Sequence, residues 1–146
     1  MTQPTPIAII GAGKIGETIV DLLLETGDYS VTLIDASAET LNQFEDHPLL
    51  KLVQQDVKDA PMLEKSMAGH FAVLSSTPFF LTKVIAEAAL NVGCHYLDLT
   101  EDVDSTNFVR EIAKTATSAF IPQCGLAPGF ISIVTQHIAN GFDELD

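Results

Sequence analysis

The sequence has 146 residues, of which 47% are hydrophobic and 18% charged, and 20 acidic against 7 basic residues give a formal net charge of −13. This length and composition predict one folded domain and exclude a disordered or low-complexity chain. The negative charge argues against nucleic acid or an anionic membrane as a partner. No apolar run approaches the roughly 20 residues that span a bilayer, and the first residues lack a basic signal region. We therefore expect a cytoplasmic protein.

Short apolar runs alternate with segments of helical periodicity along the whole chain. Strands are predicted over residues 6–10, 29–34, 49–53, 71–74, 95–99 and 119–122. Helices are predicted over residues 15–25, 38–46, 60–68 and 80–92, from about 102 to 116, and from 131. This alternation predicts an α/β fold, a doubly wound parallel sheet of about six strands with helices on both faces.

The glycine-rich segment Gly11-Ala-Gly13-Lys14-Ile15-Gly16 follows the first predicted strand and opens the first predicted helix. In a dinucleotide-binding turn the first glycine permits the tight bend, the second lets a pyrophosphate approach the backbone, and the third lets the helix pack closely. The phosphates then meet the free N–H groups at the helix start. Lys14 is a candidate for offsetting their charge, although a solvated lysine is the commoner outcome. The spacing predicts a Rossmann-type dinucleotide-binding domain.

Asp35 ends the second predicted strand, 19 residues after Gly16. An acid at this point of the fingerprint bonds the hydroxyls of the adenosine ribose, whereas an isolated Asp is more often a turn or cap residue. A carboxylate repels a 2′-phosphate, and no Lys or Arg lies between Asp35 and Leu50. We therefore predict NAD as the favoured cofactor, with NADP less favoured.

Further candidates follow from the rule that ligands lie over the carboxyl ends of the strands. Asp56 and Val57 are candidates for the adenine site, although an ordinary polar loop fits them equally well. The same holds for the segment after the fourth strand, a candidate for the diphosphate and nicotinamide ribose: Ser75, Ser76, Thr77 and Pro78.

Three acids follow the fifth predicted strand and are weak candidates for a catalytic base or for binding a substrate amine: Asp98, Glu101 and Asp102. The alternative is that Glu101 and Asp102 favour the start of the next helix. The histidines and the two cysteines, Cys94 and Cys124, show no metal-ligand spacing, so no metal is expected.

Three segments together resemble the saccharopine dehydrogenase family, including its lysine 6-dehydrogenase-like members. They are Gly11-Ala-Gly-Lys-Ile-Gly16, His95-Tyr-Leu-Asp-Leu-Thr-Glu-Asp102 and Cys124-Gly-Leu-Ala-Pro-Gly-Phe130. The resemblance implies that residues 1–125 are the N-terminal nucleotide-binding domain. Residues 126–146 would be a crossover loop and the start of a helix, leading to a substrate domain that this sequence lacks. Gly125, Pro128 and Gly129 would form a hinge near the nicotinamide, and residues 98–102 would line the cleft.

The resemblance further implies reversible hydride transfer between a nicotinamide cofactor and a carbon bearing an amine, with an amino acid or lysine-derived amine as substrate. The longer protein would be a homodimer, and these residues alone would bind cofactor without turnover. Two alternatives stay open, a nucleotide-sensing regulatory Rossmann module without catalysis and a scaffold that binds nothing. The Pro128-Gly129 loop and the acids at 98–102 argue against a sensor, which needs neither.

Overall fold

In the computed structural model, which describes residues 3–142, six parallel strands form one sheet in the order β3-β2-β1-β4-β5-β6. The strands are β1 (Thr5–Ile10), β2 (Tyr29–Asp35), β3 (Leu50–Gln54), β4 (Ala72–Ser75), β5 (His95–Asp98) and β6 (Phe120–Ile121). The helices are α1 (Lys14–Thr26), α2 (Ala38–Leu41), α3 (Ala60–Met67), α4 (Thr82–Val92), α5 (Val103–Ala113) and α6 (Ile131–Ala139). The predicted doubly wound α/β fold is confirmed.

The neighbouring strands β1 and β2, both inside the sheet, carry the apolar runs that the sequence places there. Ile9 and Leu33 face one side of the sheet and Ile10 and Ile34 the other, and none of the four is more than 1% exposed. Strands buried on both faces are continuously aliphatic because each successive side chain enters a core. The parallel register of β1 and β2 pairs Ile9 with Leu33 and Ile10 with Ile34, so the paired side chains lie beside each other on the same face of the sheet.

Helices cover the two faces unequally. On one face α1 and α2 pack on β1 and β2 through Val20 and Leu41, and on the other α3, α4 and α5 pack through Leu63, Ile85 and Val109. On the α1 side β4 and β5 present Leu74 and Leu97, both only half-buried. Helix α6 has no buried residue, and its isoleucines, such as Ile133 at 70%, are exposed.

Two helices differ from the sequence-based expectation in their bounds. Helix α2 ends at Leu41 rather than near residue 46, because the chain turns there and the N–H of Phe44 donates to the Leu41 carbonyl. Helix α4 begins at Thr82 because Phe79–Leu81 forms a separate 3-10 turn after Pro78. The predicted Pro/Gly loop is an irregular turn with non-helical dihedrals at residues 127–129. Residues 143–146, at the end of the predicted crossover segment, lie outside the described residues.

Candidate cofactor-binding site

The glycine turn between β1 and α1 is shaped by close backbone contacts. Gly11 has φ +101°, and a Cβ there would lie 2.9 Å from the Ser76 Oγ. A Cβ at Gly16 would collide with the carbonyl oxygen of Gly11. Around the Cβ position of Gly13, at the start of α1, no atom lies within 4 Å. Two glycines therefore permit the packing of the turn, and the third leaves the helix start open to a phosphate group.

The segment that ends β4 contributes both to the framework and to the site. The Ser76 hydroxyl donates to the carbonyls of Ile10 at 3.1 Å and Gly11 at 2.9 Å, which fixes β4 against the glycine turn. Ser75 is buried, and its hydroxyl lies 2.9 Å from that of Thr77. Ser75 thus belongs to the framework of the site.

Asp35 connects the end of β2 with the glycine turn. Its Oδ2 accepts the N–H of Ala12 at 2.8 Å, and its Oδ1 accepts the N–H of Ser37 at 2.8 Å. A carboxylate offers about four acceptor positions, so each oxygen retains capacity for a ligand hydroxyl. The same side chain can therefore position the turn and bind a sugar.

A cavity of about 430 Å³, here called the β2–β3 cavity, opens at the carboxyl ends of β1 to β4. It brings together most of the predicted cofactor residues: Gly11, Gly13, Asp35, Asp56, Val57, Ser76, Thr77 and Pro78. Residues that sequence analysis did not single out also line it, among them Gln55, Lys58, Phe80 and Leu81. Lys58 places a cation in the same cavity as Asp35. A Lys two residues after Asp56 is visible in the sequence, but only the fold shows that it borders the site.

A second cavity, here called the β4–β5 cavity, lies on the other side of the glycine turn and measures about 550 Å³. Its walls are mostly apolar: Ile15, Ile19, Leu74, Leu99, Glu101, Cys124, Gly125, Leu126 and Ala127. Both cavities have volumes usual for small-molecule sites. Lys14 lines neither cavity. Its exposed ammonium group forms an ion pair with Glu17 at 3.1 Å.

Asp98 is only 1% exposed and precedes Leu99, which lines the β4–β5 cavity. Its carboxylate accepts hydrogen bonds from the Tyr96 hydroxyl at 2.9 Å, the Thr100 N–H at 3.0 Å and the Gln123 N–H at 3.1 Å. Burial, together with the adjacent Asp98 charge, raises the pKa of Tyr96 well above its ordinary value. Asp98 therefore positions the loop after β6, and its burial argues against the predicted role as a catalytic base.

The other two acids after β5 differ in their surroundings. Asp102 caps α5, and its Oδ2 accepts the Ser105 N–H at 2.7 Å. Hydrogen bonds from the Ser105 side chain and backbone lower the pKa of Asp102. This geometry favours the helix-start alternative for Asp102. Glu101 is exposed, and of the three acids it is the one that lines the β4–β5 cavity.

Cys124 lies in the wall of the β4–β5 cavity. Its thiol donates to the Ile121 carbonyl at 3.1 Å. Burial and then the Asp98 charge raise the pKa of Cys124, so the sulfur stays a neutral thiol at pH 7.

Among residues 3–142 no group of three or more His, Cys, Asp or Glu side chains is arranged to hold a metal ion. In the same range no helix has both the length and the apolar character needed to cross a bilayer.

A glycine turn at a helix start, an acid at the end of β2 and two flanking cavities define a Rossmann-type dinucleotide-binding domain. Residues 7–121 match the family described as "Saccharopine dehydrogenase NADP binding domain". The chain belongs to this family, as the sequence motifs predict. Its fold and site are those of the cofactor-binding domain of an oxidoreductase family that uses a nicotinamide dinucleotide.

The chain is also similar to individual proteins of known name. Alpha-aminoadipic semialdehyde synthase of Arabidopsis thaliana is 24% identical over 164 aligned positions, which cover 96% of this chain and 15% of the plant protein. Saccharopine dehydrogenase (L-Glu forming) of Saccharomyces cerevisiae superimposes with a TM-score of 0.81 at 17% identity, covering 94% of this chain and 31% of the yeast chain. WbmG of Bordetella bronchiseptica, solved in complex with NAD, has a TM-score of 0.60 at 16% identity, over 82% and 52% of the two chains. The chain thus spans a minor part of the plant and yeast proteins that it resembles.

Proposed function

We propose that this chain binds NAD as the cofactor domain of a dehydrogenase that acts on a CH–NH bond of an amino acid or lysine-derived amine. The observation that carries the cofactor proposal is the pair of cavities on opposite sides of one glycine turn. A dinucleotide has two nucleoside halves joined by a diphosphate, and this arrangement offers one cavity to each half and a helix start to the diphosphate.

In this proposal the adenosine half occupies the β2–β3 cavity. Asp35 holds the ribose hydroxyls with the acceptor positions that Ala12 and Ser37 leave free. Val57 and Phe80 provide apolar surface for the base, and Asp56 borders the same space. The diphosphate lies at Gly13, where no side chain intervenes and the first N–H groups of α1 lack intrahelical partners.

The nicotinamide half extends toward the β4–β5 cavity, and the bound ring supplies the hydride acceptor or donor. Ile15, Leu74 and Leu99 provide apolar walls that limit the access of water to that ring. Asp98 contributes indirectly, because it fixes the Gln123 backbone and hence the loop that forms one wall. The described residues supply few polar groups for a substrate, so we propose that these 146 residues bind cofactor without turnover.

Asp35 and Lys58 make opposite contributions to the choice between NAD and NADP. The Asp35 carboxylate, fixed by two backbone N–H groups, lies where a 2′-phosphate would bring further negative charge. Lys58 lies in the same cavity and would attract that phosphate, and the family is described as NADP-binding. We propose that Asp35 dominates because its carboxylate is held in place, whereas Lys58 is an exposed side chain.

Calorimetric titration with NAD⁺, NADP⁺ and ATP tests the cofactor proposal. We expect NAD⁺ to bind most tightly, and Lys58→Met to weaken NADP⁺ more than NAD⁺. Stronger binding of NADP⁺ would overturn the preference, and equal binding of ATP and NAD⁺ would instead favour the nucleotide sensor. Absence of binding by the folded chain would favour the scaffold. Incubation of the NAD⁺-loaded chain with saccharopine and L-lysine, followed by nicotinamide absorbance, tests the expected lack of turnover.

A further inference from the structure

The charged side chains that line the β4–β5 cavity are negative only. Its nine lining residues include one carboxylate, Glu101, and no Lys, Arg or His. The ion pairs within residues 3–142 are Lys14 with Glu17 and Lys114 with Glu111, so Glu101 takes part in neither. The nearest cation along the chain on the α1 side is Lys14, whose charge is already opposed by Glu17. The cavity therefore carries an unbalanced negative charge at its rim.

A second carboxylate, that of Asp98, is hydrogen-bonded to the backbone of the loop that forms one wall of the cavity. Asp98 is buried and binds the backbone of the wall loop, since its Oδ1 accepts the Gln123 N–H at 3.1 Å and its carbonyl accepts the Cys124 N–H at 2.7 Å. Its hydrogen-bond donors are all neutral groups: Tyr96, Thr100 and Gln123. Neutral donors stabilise a carboxylate without cancelling its charge. Burial and, secondly, the Asp98 charge raise the pKa of Cys124 in the same wall.

The two redox forms of a nicotinamide ring differ in charge, because the oxidised pyridinium is positive and the reduced dihydropyridine is neutral. We infer that the β4–β5 cavity discriminates between these forms and binds the oxidised ring more tightly, with Glu101 as the main exposed determinant. This inference rests on the proposed function, which places the nicotinamide in this cavity. It adds that the domain binds the hydride acceptor, NAD⁺, more tightly than the hydride donor, NADH.

The experiment measures the dissociation constants of NAD⁺ and NADH for the same chain and compares their ratio across variants. Glu101→Gln should reduce the preference for NAD⁺ by about threefold, since a partly solvated unit charge within one Debye length acts with this order of energy. Glu101→Lys should move the ratio further in the same direction. High salt should reduce the preference of the unmodified chain.

The matched control is Asp104→Asn. Asp104 is an exposed acid three residues along the chain, and it lies outside the lining of the β4–β5 cavity. Asp104→Asn changes the net charge by the same amount as Glu101→Gln. It therefore corrects for the long-range repulsion by a chain of net charge −13, which is weaker for NAD⁺ than for the more negative NADH. An equal effect of Asp104→Asn, or an unchanged ratio in Glu101→Gln, would overturn the inference while leaving the proposed function intact. A folded chain that binds neither form contradicts the proposed function, and the inference with it.

Discussion

Replacement of Asp35 by alanine removes a carboxylate that accepts two backbone hydrogen bonds and, in the proposed complex, the ribose hydroxyls. A hydrogen bond to a charged group contributes about 1.5–3 kcal/mol net, and part of this loss is recovered because water can enter the open cavity. We therefore expect Asp35→Ala to weaken NAD⁺ binding by about 1–3 kcal/mol, which is about 5- to 150-fold. NADP⁺ should lose less, because the same substitution removes a charge that repels its 2′-phosphate.

The same variant should also lower the stability of the free domain. The N–H groups of Ala12 and Ser37 lose partners at 2.8 Å, and both bonds are partly buried. A loss of about 1–2 kcal/mol in the free energy of unfolding follows, measured by urea denaturation at pH 7. The glycine turn is then less well fixed, so part of the lost affinity reflects the turn rather than the sugar.

Asp28→Ala is the matched control for this experiment. Asp28 precedes β2 at its amino end, whereas Asp35 closes the carboxyl end of the same strand. Both substitutions remove one negative charge, but Asp28 lines neither cavity. Titration calorimetry should show a large effect on NAD⁺ for Asp35→Ala only. Unchanged NAD⁺ affinity in Asp35→Ala, or equal losses in both variants, would refute the assignment of the ribose site.

Three further predictions, which use four variants, concern the framework of the domain. Gly13→Ala should change the free energy of unfolding by less than about 1 kcal/mol, yet it should weaken NAD⁺ binding at least tenfold. Gly16→Ala should lower the free energy of unfolding by about 1–3 kcal/mol, because its Cβ collides with the Gly11 carbonyl. Equal denaturation midpoints for the two variants would contradict this contrast. Burial raises the pKa of Cys94 to about 11. The unfolded thiol therefore ionises first as the pH rises, so the unfolding free energy should fall by about 2 kcal/mol between pH 9 and 11, and Cys94→Ala should reduce this slope. Tyr96→Phe should cost about 1–3 kcal/mol, since the buried Asp98 carboxylate loses a donor at 2.9 Å; a urea midpoint equal to that of the unmodified chain would argue against the network.

The parts of the site that could be predicted from sequence are those set by local chain geometry. Gly11, Gly13 and Gly16 have fixed spacing because one turn must serve a strand end, a phosphate and a helix start. Asp35 follows from the same unit, since β2 is the neighbour of β1 in the register of the sheet. Each of these residues depends on one strand–helix–strand unit, which a sequence pattern describes well.

The parts that could not be predicted depend on contacts between distant segments. The role of Asp98 is set by the N–H of Gln123, 25 positions away, which sequence spacing does not indicate. The different roles of Glu101 and Asp102 can be assigned only when it is known that Asp102 is the acid that caps α5. Lys58 lies outside the segment from Asp35 to Leu50, which contains no Lys or Arg, and it borders the cavity only because the chain returns there after β3. Tertiary proximity, rather than residue type, decides each of these cases.

The uneven covering of the sheet has a consequence for how this domain behaves in solution. Its accessible surface is 9078 Å², whereas a compact monomer of 15.7 kDa exposes roughly 7300 Å². The additional accessible surface includes exposed apolar side chains on α6, such as Ile133, which favour association between copies of the chain. At neutral pH the net charge of −13 keeps copies apart by mutual repulsion. Acidification toward the isoelectric point near 4.4 removes that repulsion and should promote precipitation.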